Sequence, residues 1–148
     1  MTRRRVPIFV LIAILGVGLA WLAFGRVRGL LMLGFIDSAI GRVRAVAAAE
    51  DRFAKANPEV GYTCAISHLP SDEQILRLAK DGTDNGYAFE IVGCQPAESQ
   101  KPNSMYRVIA RPLHSGLPAF CSDQSGIVRY DNGGSVERCL ANGVPLGG

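Results

Sequence analysis

The stretch Ile36–Lys55, IDSAIGRVRAVAAAEDRFAK, decides how this chain is built. Its apolar residues recur at spacings of three and four, which places them along one face of an α-helix. They are Ile36, Ile40, Val43, Ala47 and Ala54, with Val46 and Phe53 beside them. Most charged residues fall on the opposite side, and Asn57-Pro58 ends the helix because the residue before proline avoids helical conformation. We therefore predict an amphipathic helix over residues 28–57, called the spine, whose apolar face must be covered.

A hydrophobic run without charge precedes the spine at Val6–Phe24. Its length is close to the roughly 20 residues that a helix needs to cross a bilayer. Three arginines, Arg3, Arg4 and Arg5, stand directly before it, as is typical of an inserted segment whose basic end stays inside. We predict that residues 1–27 are a signal anchor that contacts the lipid bilayer through residues 6–24. The expected location is single-pass in the inner membrane, with a cytoplasmic N-terminus and the remainder in the periplasm or outside the cell. Cleavage as a signal peptide is the alternative.

Four cysteines lie in the exported part: Cys64, Cys94, Cys121 and Cys139. An even count in a small domain that faces an oxidising compartment indicates two disulfides. Three connectivities are possible, and sequential pairing would close loops of about 30 and 18 residues, each stabilising by roughly 3 kcal/mol. The alternative is a zinc site that uses Cys64, His68 and Cys94. Zinc-binding cysteines usually come in close pairs, and here no two cysteines are closer than 18 residues.

The rest of the chain, residues 58–148, is called the head. A capping box at Ser71–Gln74 begins a short helix that Gly82 ends. Strands are predicted at Tyr87–Cys94, Met105–Arg111, Phe120–Cys121, Gly126–Tyr130 and, after a turn at Asp131–Gly134, at Val136–Leu140. Because the strands follow one another directly, we predict an antiparallel sheet packed on the spine, which makes the fold α+β.

Two parts of the chain carry a resemblance to a known family. The segment Ser38–Glu50, SAIGRVRAVAAAE, resembles the Ser-Ala-Ile, basic, Ala-Glu pattern of the helix in type IV pilins and pseudopilins. Short head segments are also similar to bacterial pilin-like heads: GYTC at Gly61–Cys64, GYAF at Gly86–Phe89, FCSD at Phe120–Asp123 and Cys139-Leu140.

The resemblance is not complete at the N-terminus. The hydrophobic run follows Arg5 directly, without the short leader that ends in glycine and phenylalanine, and no acidic residue precedes Asp37. The glutamate that pilins carry near the start of the mature chain is therefore missing. The resemblance implies a pilin-like head on an ordinary signal anchor.

Residues that could carry chemistry are few. Asp81–Gly86 is similar to a calcium loop, but position three is Thr83 and position twelve is Val92, so we expect a turn there. His68 and His114 are isolated and are expected at the surface or in loops. Glu50 interrupts the apolar stripe, and we expect it at the exposed edge of the helix or paired with an arginine of the head or of a neighbouring subunit.

The function that these patterns indicate is structural. With a net charge of +3 and no catalytic constellation, the chain has no nucleic-acid footprint and is not predicted to be an enzyme, to bind a metal or to use a cofactor. We expect a membrane-anchored, pilin-like structural or assembly protein of the bacterial cell envelope, whose N-terminal helix associates with like subunits. The alternative is a secreted or anchored, disulfide-stabilised binding module in the periplasm, with aromatic residues exposed beside Arg107 and Arg111.

Overall fold

The computed structural model describes residues 8–70, 73–94 and 102–147. Helix α1 spans Ile8–Ala56, so the predicted run of helix through anchor and spine is confirmed. The chain divides into two compact units after Gly34. The division falls inside the predicted spine, and residues 35–57 therefore belong with the head.

The N-terminal unit is the apolar part of α1. Every side chain from Ile12 to Val27 is exposed, and apart from Arg26 these are apolar or glycine. Among the described residues, one helix near the N-terminus is long and apolar enough to cross a membrane. The predicted anchor is thus consistent with the length and composition of this helix.

The C-terminal unit begins with the amphipathic part of α1. The side chains at three- and four-residue spacing are buried, namely Ala39, Val43, Val46, Ala47, Ala49 and Glu50. The helix ends where predicted, because both the backbone N–H and the side-chain amide of Asn57 donate to the Phe53 carbonyl at 2.9 Å. The residue order therefore sets both the buried face and the end of this helix.

The head contains one six-stranded sheet in which every strand is antiparallel to the next along the chain. The strands are β1 Thr83–Asp84, β2 Tyr87–Val92, β3 Arg107–Pro112, β4 Ala119–Asp123, β5 Arg129–Asp131 and β6 Val144–Pro145. The predicted α+β fold, a long N-terminal helix packed on an antiparallel sheet, is confirmed.

Among the described residues of the head, three helical segments accompany the sheet: a 3₁₀ turn at Ile66–His68, α2 at Glu73–Asp81 and α3 at Val136–Asn142. Helix α2 was predicted and buries Ile75 and Leu78. Ser71 and Asp72 lie outside the described residues, so the capping box remains a prediction.

The predicted strand at Val136–Leu140 is wrong, because this segment is helix α3. Its beginning is fixed by Ser135, whose hydroxyl accepts a hydrogen bond from the Arg138 backbone N–H at 3.2 Å. An N-cap of this kind satisfies one of the free N–H groups at a helix start. The strand that pairs with β5 is instead the short β6.

Candidate functional site

The most unusual group in the head is the carboxylate of Glu50. It lies on the buried face of α1, and its side chain has no exposed surface. Oε2 accepts a 2.9 Å hydrogen bond from the backbone N–H of Thr63, whereas Oε1 has no hydrogen-bond partner among the described residues. The prediction of an exposed or arginine-paired Glu50 is wrong, because the chain that follows the helix folds back and covers this residue.

The backbone that covers Glu50 is held in place from two sides. Gly61 forms a parallel bridge with Asn103, and the Tyr62 N–H donates to the Asn103 carbonyl at 3.0 Å. The Thr63 hydroxyl then donates to the Ala65 carbonyl at 3.2 Å and accepts from the Ala65 N–H at 3.1 Å. These contacts fix the direction in which the Thr63 N–H points, which is toward the carboxylate.

Two tyrosines lie near the buried carboxylate. The rings of Tyr62 and Tyr106 are 4.7 Å apart between centroids and tilted, and the Tyr106 hydroxyl donates to the Ala47 carbonyl at 3.4 Å. Burial, followed by the negative charge of Asp51 and then of Glu50, raises the pKa of Tyr106. Tyr106 therefore acts as a neutral donor to α1, and the ring of Tyr62 packs against it.

Burial also shapes the acidity of the carboxylate itself. Loss of hydration raises the pKa of Glu50 to about 7, the Thr63 hydrogen bond opposes this effect, and the neighbouring charge of Asp51 adds to it. Removing a carboxylate from water penalises its charged form, which is why burial outweighs a single hydrogen bond. Near neutral pH this side chain is divided between its acid and its carboxylate.

Cys64 and Cys94 lie next to this site as a pair of thiols. Both line one cleft, and the Cys94 thiol donates to the Thr63 carbonyl at 3.1 Å. Cys64 is exposed and accepts a 3.7 Å contact from the side-chain amide of Asn103, whereas Cys94 is half-buried. The sequence indicated two disulfides with the connectivity open, and Cys64 and Cys94, which sequential pairing would join, are free thiols.

The thiol pair opens into a cleft of about 360 Å³. Its walls are Phe53, Val60, Tyr62, Thr63, Cys64, His68, Cys94 and Asn103. The three residues weighed as zinc ligands thus share one cleft, but the described residues contain no group of three or more His, Cys, Asp or Glu side chains arranged to hold a metal ion. We therefore consider the two thiols as the reactive groups of this cleft.

The other two cysteines form the disulfide Cys121–Cys139, which joins β4 to α3. Both are buried and lie in an apolar cluster with Ile109, Ala119 and Val136. Of the connectivities left open by the sequence, the structure contains this one bridge between residues 18 positions apart.

The segment Asp81–Gly86, predicted to be a turn, holds the end of α2, the short strand β1 and the turn into β2, and it is tied to α1. The carboxylate of Asp84 accepts a 2.7 Å ion-pair hydrogen bond from the Arg42 guanidinium and a 3.4 Å contact from the Ser38 hydroxyl. The Asn85 amide donates to the same hydroxyl at 2.9 Å. The acidic side chain of this loop thus holds the loop against the spine.

The sequence did not reveal the Glu50 site. The usable signal was an acidic residue within an otherwise apolar helical stripe, which indicates either an edge position or a buried polar partner. Which of the two applies depends on Thr63 and Asn103, whose positions follow from the fold and not from local sequence.

Comparison with known proteins gives no relative from which a function can be carried over: no family model matches the chain, and no curated protein or solved structure is significantly similar. The structure by itself defines the class. It is an α+β protein with an apolar N-terminal helix, a six-stranded antiparallel sheet and one disulfide.

Proposed function

We propose that the chain is a membrane-anchored, pilin-like structural or assembly protein of the bacterial cell envelope, with its head in the periplasm or outside the cell. One observation carries the proposal. The apolar side chains between Ile12 and Val27 are all exposed, including Trp21 at 78% and Leu22 at 70%. Apolar surface left in water costs about 25 cal/mol per Å². Lipid or neighbouring helices must therefore cover this part of the helix.

The orientation follows from charge. Arg3, Arg4 and Arg5 precede the apolar segment, and such basic clusters stay on the cytoplasmic side. The head then lies on the side of the inner membrane that faces away from the cytoplasm. That compartment oxidises thiols, which supports the Cys121–Cys139 disulfide.

The exposed face of the spine supports association between copies. Along that face the exposed residues are Asp37, Gly41, Arg44, Ala48, Asp51, Arg52 and Lys55. Charge alternates at a spacing of seven, with Asp37, Arg44 and Asp51 in one stripe. Parallel copies offset by seven residues, roughly 10 Å along the helix, place Asp37 of one copy opposite Arg44 of the next, and Arg44 opposite Asp51. The stripe is therefore complementary to itself, and we assign it to a second copy of this chain.

Alkaline extraction of membranes from cells that express the full chain tests the anchor. The wild type is expected in the membrane pellet. The double variant Leu15→Arg/Leu19→Arg should move to the soluble fraction, because each arginine near the centre of a spanning helix costs about 3 kcal/mol. Leu76→Arg/Leu113→Arg, at two exposed positions of the head, is the matched control and should remain in the pellet.

Recovery of the wild type as a soluble protein would overturn the anchored form. The intact mass of the purified chain completes this test, because a cut near Gly25 would show that the segment is a cleaved signal peptide.

Cross-linking tests the association. In a background of Cys64→Ser/Cys94→Ser, a bis-maleimide with a spacer long enough to span the seven-residue offset should give covalent dimers of Ala48→Cys, since residue 48 lies in the centre of the exposed stripe. Lys80→Cys, exposed on α2, is the control and should stay monomeric.

Charge reversal tests the offset. Arg44→Asp should abolish the Ala48→Cys dimer, because it places like charges opposite each other in both proposed pairs. The triple variant Asp37→Arg/Arg44→Asp/Asp51→Arg should restore it. Equal cross-linking of Ala48→Cys and Lys80→Cys would exclude this interface and favour a monomeric binding module.

A further inference from the structure

The four cysteines of the head exist in two different environments. Cys121 and Cys139 are at most 1% exposed and are joined as a disulfide inside an apolar cluster. Cys64 and Cys94 are thiols that line one cleft of about 360 Å³, and the Cys94 sulfur lies 3.1 Å from the carbonyl of Thr63, the residue before Cys64. The first pair is closed to reagents, and the second pair is accessible to them.

The two thiols of the open pair are not equivalent. Cys64 is exposed and lines a second cleft of about 270 Å³ as well, so an incoming molecule reaches its sulfur first. The Asn103 side-chain amide donates to that sulfur at 3.7 Å. Cys94 is half-buried, and its thiol donates to the Thr63 carbonyl at 3.1 Å.

The electrostatic surroundings reinforce this asymmetry. Burial, followed by the contact with Cys64 and the negative charge of Glu50, raises the pKa of Cys94 to about 12. A thiol must lose its proton before it can attack a disulfide. Cys94 therefore stays protonated until its neighbour has reacted and an adjacent disulfide sulfur is available to it.

We propose that Cys64 and Cys94 form a thiol–disulfide exchange site whose substrate is the disulfide of an external oxidant, with Cys64 as the attacking thiol and Cys94 as the resolving thiol. The inference rests on the placement of the two thiols and does not depend on the function proposed above.

The chemistry balances as follows. The Cys64 thiolate attacks one sulfur of an oxidant RSSR, forming a Cys64–SR mixed disulfide and releasing RS⁻, which takes up the proton lost by Cys64. The Cys94 thiol then loses its proton, and its sulfur attacks the Cys64 sulfur. The Cys64–Cys94 bond forms, and the second RS⁻ leaves with that proton as RSH. Two protein thiols are oxidised, and one disulfide is reduced to two thiols.

The bridge would change how the spine is held. Thr63 connects the two sites, because its N–H binds Glu50 and its carbonyl accepts from Cys94. A Cys64–Cys94 bond replaces the hydrogen bond from the Cys94 thiol with a covalent link between the residues that follow β2 and the segment that covers Glu50. Oxidation thus fastens the C-terminal end of the spine to the sheet.

The test uses the full chain in detergent, reduced at the open pair with a mild reductant that leaves the buried disulfide intact, and then exposed to glutathione disulfide. Intact mass should show wild type losing two hydrogens and retaining no glutathione. Cys94→Ser should retain one glutathione at Cys64, since no resolving thiol remains. Cys64→Ser should react at least tenfold more slowly than Cys94→Ser. Thermal denaturation confirms that both variants fold, and Cys94→Ala replaces Cys94→Ser if the serine variant does not.

A second arm replaces glutathione disulfide with an oxidised protein that carries a Cys-X-X-Cys disulfide. Reaction in that arm alone assigns the site to a protein oxidant, and reaction with glutathione disulfide alone assigns it to a small disulfide. The oxidised wild type should also melt roughly 10 °C higher than its reduced form. Equal reaction rates at Cys64 and Cys94, glutathione retained by wild type, or no exchange in either arm would overturn the proposal. An unchanged melting temperature would contradict the claim that the Cys64–Cys94 bond stabilises the attachment of the spine to the sheet.

Discussion

The backbone N–H of Thr63 donates a 2.9 Å hydrogen bond to the fully buried carboxylate of Glu50. This contact joins the segment after α1 to the helix itself, across 13 positions of sequence. A carboxylate buried with one donor and no cation is stable mainly in its protonated form. The end of the spine is therefore sensitive to pH.

Replacing the carboxylate by an amide should remove a specific pH dependence of stability. Burial raises the pKa of Glu50 from its ordinary value of 4.5 to about 7. Because the folded state binds this proton more tightly than the unfolded state, the stabilisation is complete below pH 4.5 and is lost as the pH rises through 7. In Glu50→Gln this loss, about 3 kcal/mol, should be absent. Urea denaturation between pH 4.5 and 8 measures it.

At each pH, the free energy of unfolding of Glu50→Gln is compared with that of wild type. The change of this difference with pH reports the titration of Glu50. The absolute value of the difference also contains the pH-independent cost of burying an amide. The control Glu59→Gln replaces an exposed carboxylate by an amide. Its free energy of unfolding should vary with pH as that of wild type does. Parallel curves for wild type and Glu50→Gln would show that the Glu50 carboxyl titrates as it does in water.

Removing the Cys121–Cys139 disulfide should lower the free energy of unfolding by about 3 kcal/mol, the loop-closure contribution for a separation of 18 residues. The variant is Cys121→Ala/Cys139→Ala, which keeps small apolar groups in the buried cluster. Urea midpoints provide the measurement, in a mild reductant that keeps Cys64 and Cys94 as thiols and leaves the buried disulfide intact. The control, Cys64→Ala, removes an exposed thiol and should stay within about 0.5 kcal/mol of wild type. Equal midpoints for the double variant and wild type would contradict the expectation.

The ion pair between Arg42 and Asp84 should contribute measurably to the attachment of the loop to α1. Its N–O distance is 2.7 Å, and both side chains are mostly buried, at 15% and 18% exposure. A double-mutant cycle with Arg42→Gln and Asp84→Asn should give a coupling free energy of about 1–2 kcal/mol, because the hydrogen bond is charge-assisted and partly desolvated.

A second ion pair in the same chain serves as the control for that cycle. Arg111 and Glu137 are 3.8 Å apart and largely exposed, and exposed pairs contribute little. The cycle with Arg111→Gln and Glu137→Gln should give no measurable coupling. Equal coupling in the two cycles would mean that burial does not strengthen the Arg42–Asp84 pair.

The sequence predicted the elements that local periodicity encodes. The three- and four-residue spacing of Val43, Val46 and Ala47 sets the buried face of α1, and alternating apolar residues set β2. The prediction of a strand at residues 136–140 was wrong, because a segment of five residues fits both the helical period and the strand period. Val136, Cys139 and Leu140 have helical spacing, and the Ser135 cap decides in favour of helix α3.

The candidate site was less predictable, for a physical reason. Sequence identifies Cys64 and Cys94 as cysteines of the head but does not bring them to one cleft, because that placement depends on the register of β2 with the rest of the sheet. The burial of Glu50 likewise requires Thr63 to lie over it, and the position of Thr63 is set by the distant residue Asn103. Contacts between distant parts of the chain leave no local periodicity.

The close approach of Gly61 to Asn103 should make Gly61 the least replaceable glycine of the head. Gly61 has φ +74° and forms a backbone bridge with Asn103. A Cβ added at Gly61 would overlap the carbonyl group of Asn103 and would lie 2.7 Å from the backbone nitrogen of Asn103. Gly126 has a similar φ of +71° and no atom within 4 Å of an added Cβ. Gly126→Ala should therefore cost only the strain of a left-handed backbone, about 1–2 kcal/mol.

Gly61→Ala should cost at least about 2 kcal/mol more than Gly126→Ala, because the backbone must move in addition to adopting the strained φ. Urea midpoints of the two variants measured side by side give the difference. Movement at residue 61 also displaces the Thr63 N–H, so the pH dependence that Glu50 confers should change in Gly61→Ala and not in Gly126→Ala. Equal losses of stability in the two variants would show that the chain accommodates a Cβ at residue 61 without moving Asn103, and the segment that covers Glu50 would then be less tightly held than these contacts indicate.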